Sequence, residues 1–161
     1  GWTPDPMLRL AAIVPPDAER LTGLAARLKL SRAEAAYLAQ WVEAPEIPAT
    51  IAETALDRML YRNGVQGILV RLRLMLAAAR AKTEGDPQAM ALSGLCQRLL
   101  ARAERWSKPD FPLSGADVLA AGVPAGPRVG EILTTLEDEW VESNFNLDRA
   151  SLLARLAALA K

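Results

Sequence analysis

The sequence predicts an all-α protein, an irregular bundle of about seven to eight helices. Apolar residues recur at helical spacing along nearly the whole chain, and no stretch alternates as a strand would. Apolar residues make up 51% of the 161 residues, dominated by Ala and Leu, whereas aromatic residues make up only 5%. Small and unbranched side chains of this kind favour helices that pack closely together.

Capping and turn signals place the first three predicted helices. Asp17 can cap a helix over AERLTGLAARL, and Ser31 with Glu34 forms a capping box that opens SRAEAAYLAQWV. A further helix is predicted from about Pro48 to Tyr61. Asn63-Gly64 then gives a left-handed turn signal that ends it.

The remaining helices follow in the same way. A long apolar helix covers GILVRLRLMLAAARAK, and Asp86-Pro87 opens the next, through QAMALSGLCQRLLARAERW. The linker-like KPDFP precedes a stretch rich in Gly and Pro, and two helices follow it, over RVGEILTTLEDEWVES and, from about Leu147, DRASLLARLAALA. We therefore expect a helical region over residues 1–108 and a second over residues 109–161.

The composition excludes several classes of chemistry. The absence of histidine removes the usual general base, Ser-His nucleophile activation and most zinc sites. Cys96 is the only cysteine and lies among apolar residues at helical spacing, which predicts a buried thiol and a reducing, cytoplasmic location. No apolar run reaches the length of a membrane span and no signal-peptide layout opens the chain, so we expect no membrane partner.

The charges cancel overall but are unevenly distributed. Residues 58–108 carry 10 basic and 3 acidic side chains, whereas the flanking segments are net acidic. Within this basic segment Arg98, Arg102 and Arg105 recur at a spacing that places them on one helix face. Stacked arginines repel one another unless an anion lies over them, and phosphate fits guanidinium groups well. The alternative is a solvated face, or pairing with the acidic ends of the same chain.

Two other groups of residues invite a functional reading. The acidic cluster at residues 137–142 offers only one pair on a common helix face, Asp138 and Glu142, which is too few for a metal site. Large aromatic residues in amphipathic helices usually fill the core, so Tyr37, Trp41 and Trp140 are predicted there. Trp106, beside Arg105, remains open as a stacking partner for a base.

The stretch FPLSGADVLAAGVPAGPRVGEIL, residues 111–133, predicts a helix-hairpin-helix-like element near residues 114–143. Ser114 with Asp117 forms a capping box, Gly122 ends the short helix, and Pro127 opens the next. Free backbone N–H groups and the positive end of the second helix could hold a phosphate there. The alternative is that the glycines only let two helices pack closely.

This stretch also resembles the motif that lies downstream of the catalytic head in bacterial CCA-adding enzymes and the related poly(A) polymerases, P-L-x-G-x-D-L-x-x-x-G-x-x-P-G-P-x-x-G-x-x-L. The matching residues are Pro112, Leu113, Gly115, Asp117, Gly122, Gly126, Pro127, Gly130 and Leu133, with Val118 in place of Leu and Ala125 in place of Pro. The segments RLAAIVPPDAERLTGLAARLKLS, LYRNGVQGILVRLRLMLAAAR and EDEWVESNFNLDRASLLARL are similar to the α-proteobacterial enzymes, so the resemblance covers nearly the whole chain.

The resemblance implies a tRNA nucleotidyltransferase, which adds C, C and A to tRNA from CTP and ATP with Mg²⁺. The family's head needs a Gly-Gly or Gly-Ser turn followed by Asp-x-Asp or Asp-x-Glu to hold two metals. This chain contains no Gly-Gly, no Gly-Ser and no Asp-x-Asp, and Glu137-Asp138 does not continue into the family's Glu-Asp-x-x-Arg element. We therefore expect the C-terminal RNA-binding part of a longer enzyme, without catalytic or metal-binding residues and without a cofactor of its own.

The expected partners are tRNA and the catalytic head of the parent enzyme, with the oligomeric state left open. RNA phosphates would be contacted by two sets of residues, in the basic segment and at the start of the helix that Pro127 opens. These are Arg73, Arg80, Arg98, Arg102, Arg105, Gly126, Arg128, Val129 and Gly130. The alternative function is a helical protein-interaction or dimerisation module, in which the same basic face pairs with an acidic surface.

Overall fold

A computed structural model of the chain describes residues 3, 5–82 and 86–160. Within these residues the structure is all-helical, which confirms the predicted fold class, with nine helices against the seven to eight expected. They are α1 (Pro6–Ile13), α2 (Ala18–Leu28), α3 (Arg32–Glu43), α4 (Glu53–Asn63), α5 (Val65–Arg80), α6 (Pro87–Arg105), α7 (Gly115–Ala120), α8 (Pro127–Glu142) and α9 (Arg149–Leu159). None of these helices is both long and apolar enough to cross a bilayer.

The predicted caps are present. Ser31 and Glu34 form the capping box of α3, and the Asp86 carboxylate accepts hydrogen bonds from two N–H groups in the first turn of α6. Gly64, with φ +78°, separates α4 from α5 at the turn that Asn63-Gly64 predicted.

One helix was missed and the start of another was misplaced in the prediction. Helix α1 was not expected; Asp5 caps it by accepting hydrogen bonds from Met7 N–H and Leu8 N–H at 2.9 and 3.1 Å. Helix α4 begins at Glu53 rather than Pro48, because Ile51 N–H donates to the Pro48 carbonyl and closes a turn instead. The apolar side chains at residues 47 and 51 pack onto the core and hold this turn in place.

The chain divides into two compact units, Gly1–Ser107 and Lys108–Lys161, called unit 1 and unit 2 below. In unit 1, α4, α5 and α6 share a leucine-rich core that also buries Cys96, as predicted, while α1, α2 and α3 close over Leu38, Trp41 and Val70. Helix α5 contributes to both clusters, so it is the central element of the unit.

Helix α5 crosses α3 at very close range. A Cβ atom on Gly67 would lie 2.1 Å from the Gln40 carbonyl oxygen, so only glycine fits at this crossing. Arg71 adds a polar contact there, because its Nε–H donates to the Ala44 carbonyl at the end of α3 at 2.8 Å. This crossing fixes the direction of α5, against which α6 packs.

Unit 2 contains α7, α8 and α9. The short α7 ends at Gly122, which has φ +91°, and residues 121–126 connect it to α8, giving the predicted helix-hairpin-helix-like element. The Trp140 ring lies between Phe111 and Phe145, with centroid distances of 5.4 and 5.0 Å, and its burial confirms the predicted core position.

Candidate nucleic-acid interface

One face of α6 forms a basic cleft in unit 1. The opposite face of this helix is buried, with Cys96, Leu99 and Ala103 in the core, so the arginine stripe is turned outward. The stripe lines a surface cleft of about 640 Å³, called the α6 cleft below. Its lining residues are Glu53, Arg98, Ala101, Arg102, Arg105, Trp106 and Ser107. The structure thus brings three of the predicted arginines together.

Arg102 is held by carboxylates of α4. Its Nε–H donates to Asp57 Oδ1 at 2.8 Å and its NH2 to Asp57 Oδ2 at 2.5 Å, while NH1 donates to Glu53 Oε2 at 2.9 Å. The hydrogen bond with Asp57 is the main cause that raises the pKa of the Arg102 guanidinium above its ordinary value. Bidentate pairing of this kind orients the guanidinium group as well as binding it. Arg102 is therefore a charge already compensated within unit 1.

Arg98 and Arg105 are exposed, whereas Arg102 is half-buried. Arg105 donates from Nε to the Ala101 carbonyl of its own helix at 3.0 Å. Within the described residues neither arginine forms an ion pair with a carboxylate. Their positive charges are consequently available to an external anion.

Trp106 is the aromatic residue that lines the α6 cleft. It is the C-cap residue of α6 and is half-buried, with its apolar part against the unit 1 core. The ring also lines the cleft beside Arg102 and Arg105. An aromatic surface next to two guanidinium groups can stack a base while the arginines hold a neighbouring phosphate.

The two predicted arginines of α5 lie outside the residues that line this cleft. Arg73 is half-buried and its NH2 donates to Glu104 Oε1 at 3.2 Å. Arg80 is exposed at the last position of α5. The basic segment therefore does not form one continuous row of equivalent arginines.

In unit 2, the start of α8 has an unusual backbone conformation. Gly126 has φ +157° and ψ −172°, a conformation that essentially only glycine adopts, and no atom lies near the open side of Gly130. Pro127 has no N–H, and Val129 N–H donates to the Gly126 carbonyl at 3.1 Å. This helix start therefore offers fewer free donors than most.

The Arg128 side chain makes a hydrogen bond to another helix of unit 2. Its NH2 donates to the Leu159 carbonyl at the end of α9, at 3.3 Å. A cation at a helix C-terminus interacts favourably with the helix dipole and with the last carbonyl groups. The side chain is exposed, so an anion can still reach it.

The carboxylate of Asp117, a residue of the motif, is bound by other residues of unit 2. Arg149 donates to both Asp117 carboxylate oxygens and to the Pro112 carbonyl, and Ser114 donates from its N–H at 2.8 Å and from its hydroxyl at 2.9 Å. The hydrogen bond from Arg149, followed by those from Ser114, lowers the pKa of Asp117 to about 2. Asp117 and Arg149 thus tie α7 to the start of α9.

Arg149 was missed in the sequence, although one signal was there. It is the first residue of α9, and a cation in the first turn of a helix opposes the helix dipole. A basic residue at such a position indicates a specific acidic partner.

No metal centre emerges from the described residues. They contain no group of three or more His, Cys, Asp or Glu side chains that could hold an ion. Asp17-Ala18-Glu19 does have the Asp-x-Glu spacing, but it opens α2, where Asp17 accepts from Arg20 N–H at 2.8 Å. In the acidic cluster of α8, Glu139 pairs with Arg155 at 3.7 Å.

The fold and the α6 cleft together define an all-helical module with a basic surface cleft. A family model described as "tRNA nucleotidyltransferase domain 2 putative" matches residues 10–156. The chain belongs to this family.

Individual relatives agree over shorter stretches. The mitochondrial CCA tRNA nucleotidyltransferase 1 of Mus musculus is 34% identical over 56 residues, 35% of this chain and 13% of the relative. The Danio rerio protein of the same name is 38% identical over 60 residues, 37% of this chain and 14% of the relative. An uncharacterized 28 kDa protein in the petA 5′ region of Rhodospirillum rubrum is 38% identical over 79 residues, 49% of this chain and 30% of the relative.

The matched stretches thus span about one-seventh of the two mitochondrial enzymes. No solved structure matches the chain significantly.

Proposed function

We propose that this chain is a non-catalytic tRNA-binding part of a tRNA nucleotidyltransferase and that unit 1 holds the RNA in the α6 cleft. The observation that carries the proposal is the pair Arg98 and Arg105, whose charges meet no carboxylate within the described part of the chain. Two such charges about two helical turns apart suit a run of phosphates. Family membership identifies tRNA as the RNA to test.

The proposed contacts position the RNA and do not select its sequence. Guanidinium groups bind phosphate oxygens, which are the same for every base. Trp106 can stack any base, because all bases have an aromatic face. Binding that does not depend on the RNA sequence suits a module that must accept every tRNA.

The start of α8 is proposed as a second, weaker contact. Gly126 and Gly130 leave open space beside the backbone, and Arg128 lies exposed between them, next to the half-buried Val129. Because the Arg128 guanidinium already donates to Leu159, an RNA phosphate would have to share or replace that hydrogen bond. This contact is therefore expected to contribute less than the α6 cleft.

Catalysis is assigned to a separate head of α-proteobacterial type, on the N-terminal side of this module in the parent enzyme. That head would bind Mg²⁺, CTP and ATP and would perform CCA addition, or polyadenylation in a poly(A) polymerase-like relative, in the cytoplasm. In support of a separate head, the described residues of this chain contain no group of three or more His, Cys, Asp or Glu side chains that could hold a metal ion. We expect the isolated chain to incorporate neither CTP nor ATP into tRNA.

Salt dependence of tRNA binding tests the proposal. Fluorescence anisotropy with a labelled tRNA transcript, between 50 and 200 mM salt, should show an affinity that falls steeply as salt rises. A flat or absent response would refute tRNA binding through phosphates. In that event the protein-interaction alternative predicts concentration-dependent self-association in sedimentation experiments instead.

A further inference from the structure

Glu53 places a carboxylate in the α6 cleft, where RNA phosphates are proposed to bind. Among the lining residues of the α6 cleft given above it alone is acidic, and its side chain is 53% exposed. Within the described part of the chain, its side chain accepts only from Arg102 NH1, at 2.9 Å. Asp57 contrasts with it, because its side chain is 14% exposed and it accepts from both Nε and NH2 of the same arginine.

The two carboxylates therefore have different roles. A guanidinium group has five N–H donors, and Asp57 uses the edge formed by Nε and NH2. Asp57 thereby leaves Arg102 NH1 to Glu53, which lines the α6 cleft. An anion that replaced Glu53 would leave the Asp57 contact unchanged.

The surroundings of Arg102 NH1 favour phosphate over a carboxylate. Arg98 and Arg105 line the same cleft, one turn on either side of Arg102 along α6. A phosphate at NH1 would lie between these two charges, whereas the single carboxylate of Glu53 compensates only Arg102. Glu53 can also move away, since it is exposed and is the first residue of α4.

We propose that Glu53 occupies a phosphate-binding position on Arg102 in the free protein and is displaced when RNA enters the α6 cleft. This inference rests on the proposed tRNA binding and adds that Glu53 lowers the affinity. In the complex Asp57 keeps Arg102 in place, and the phosphate takes the NH1 donors between Arg98 and Arg105. Glu53 then returns to water.

The sign of the effect distinguishes this role from a structural one. Replacing Glu53 removes an ion pair and an acidic residue from the first turn of α4, and both losses disfavour the fold slightly. Tighter RNA binding by such a variant cannot come from a better-folded protein. If Glu53 instead orients Arg102 for RNA, its removal weakens binding.

The test compares Glu53→Gln with Glu139→Gln by anisotropy on the same tRNA transcript. Glu139→Gln changes the net charge equally and breaks another exposed ion pair, with Arg155 in unit 2. We expect Glu53→Gln to bind about two- to five-fold more tightly at 50 mM salt, as loss of one exposed competing ion pair implies, and by a smaller factor at 200 mM. Glu139→Gln should match the wild-type protein.

Unchanged or weaker binding by Glu53→Gln, with salt-dependent binding by the wild-type protein, would overturn the role of Glu53 and leave tRNA binding standing. An equal gain for Glu139→Gln would overturn it too, because net charge alone would then explain the effect. If the wild-type protein shows no salt-dependent binding, the proposed function fails and this inference fails with it.

Discussion

Removing Arg98 and Arg105 together tests how the α6 cleft binds RNA. Both side chains are exposed and neither pairs with a carboxylate within the described residues, so truncation to Ala breaks no ion pair. The free energy of unfolding should change by less than about 0.5 kcal/mol per substitution, as for other surface positions. Any loss of tRNA affinity therefore reports on the contacts with RNA.

The size of the loss follows from counterion release. Each phosphate contact contributes a slope of about −0.7 to −0.9 to the logarithm of the affinity against the logarithm of salt concentration. Three contacts in the cleft predict an affinity that falls about 20- to 40-fold between 50 and 200 mM salt. With Arg102 as the one arginine left in the cleft, the share of this fall that comes from the cleft should be only about three-fold.

The double variant Arg20→Ala/Arg27→Ala is the matched control, because it removes the same charge from exposed positions on α2. Anisotropy with a labelled tRNA transcript measures all three slopes. The reasoning is refuted if the slope of Arg98→Ala/Arg105→Ala equals that of the wild-type protein. It is equally refuted if the control loses as much slope as the cleft variant.

Three other predictions concern the fold and unit 2. Gly67→Ala should destabilise unit 1 by about 3 kcal/mol, because its Cβ would lie 2.1 Å from the Gln40 carbonyl oxygen. Gly23→Ala in α2, where no atom lies within 4 Å, should instead stabilise by about 0.5 to 1 kcal/mol; equal thermal midpoints for the two variants would contradict the α3–α5 crossing. Arg128→Glu should weaken tRNA binding in the anisotropy assay while the circular dichroism stays helical, and unchanged binding would leave the α8 motif with a packing role alone. The pKa of Asp117 is about 2 against an ordinary 3.8, so its contribution to stability is present above about pH 4 and is lost as the pH falls through 2. Arg149→Met should raise that pKa toward 3.8 in a carboxyl ¹³C NMR titration, so that the stability lost between about pH 4 and pH 2 becomes smaller. An unaltered titration would show that Arg149 is not the cause.

The helices were predictable where a cap and a long apolar face occur together. Ser31 with Glu34, and Asp86 with Pro87, each open a helix of 12 residues or more, and the sequence placed both starts correctly. Helix α1 has a similar Asp-Pro signal but only eight residues, too few to show a clear period. The start of α4 could not be read locally, because packing of residues 47 and 51 onto the core determines it.

The candidate site was predictable only in part. The spacing of Arg98, Arg102 and Arg105 places them on one face in any helix, and the structure brings them into one cleft. The spacing of the three arginines does not distinguish Arg102 from its neighbours, because its partners Asp57 and Glu53 lie 45 and 49 residues away along the chain. Such long-range pairing appears only once α4 and α6 are packed together.

An NMR titration of the ¹⁵N-labelled protein with a tRNA transcript tests the proposed RNA-binding surface most directly. The Trp106 indole N–H signal and the amide signals from residue 98 to residue 107 should shift as RNA is added. The indole signal of Trp41, which is buried in the core of unit 1, should stay in place. Shifts confined to residues 108–160, or none on α6, would contradict tRNA binding in the α6 cleft.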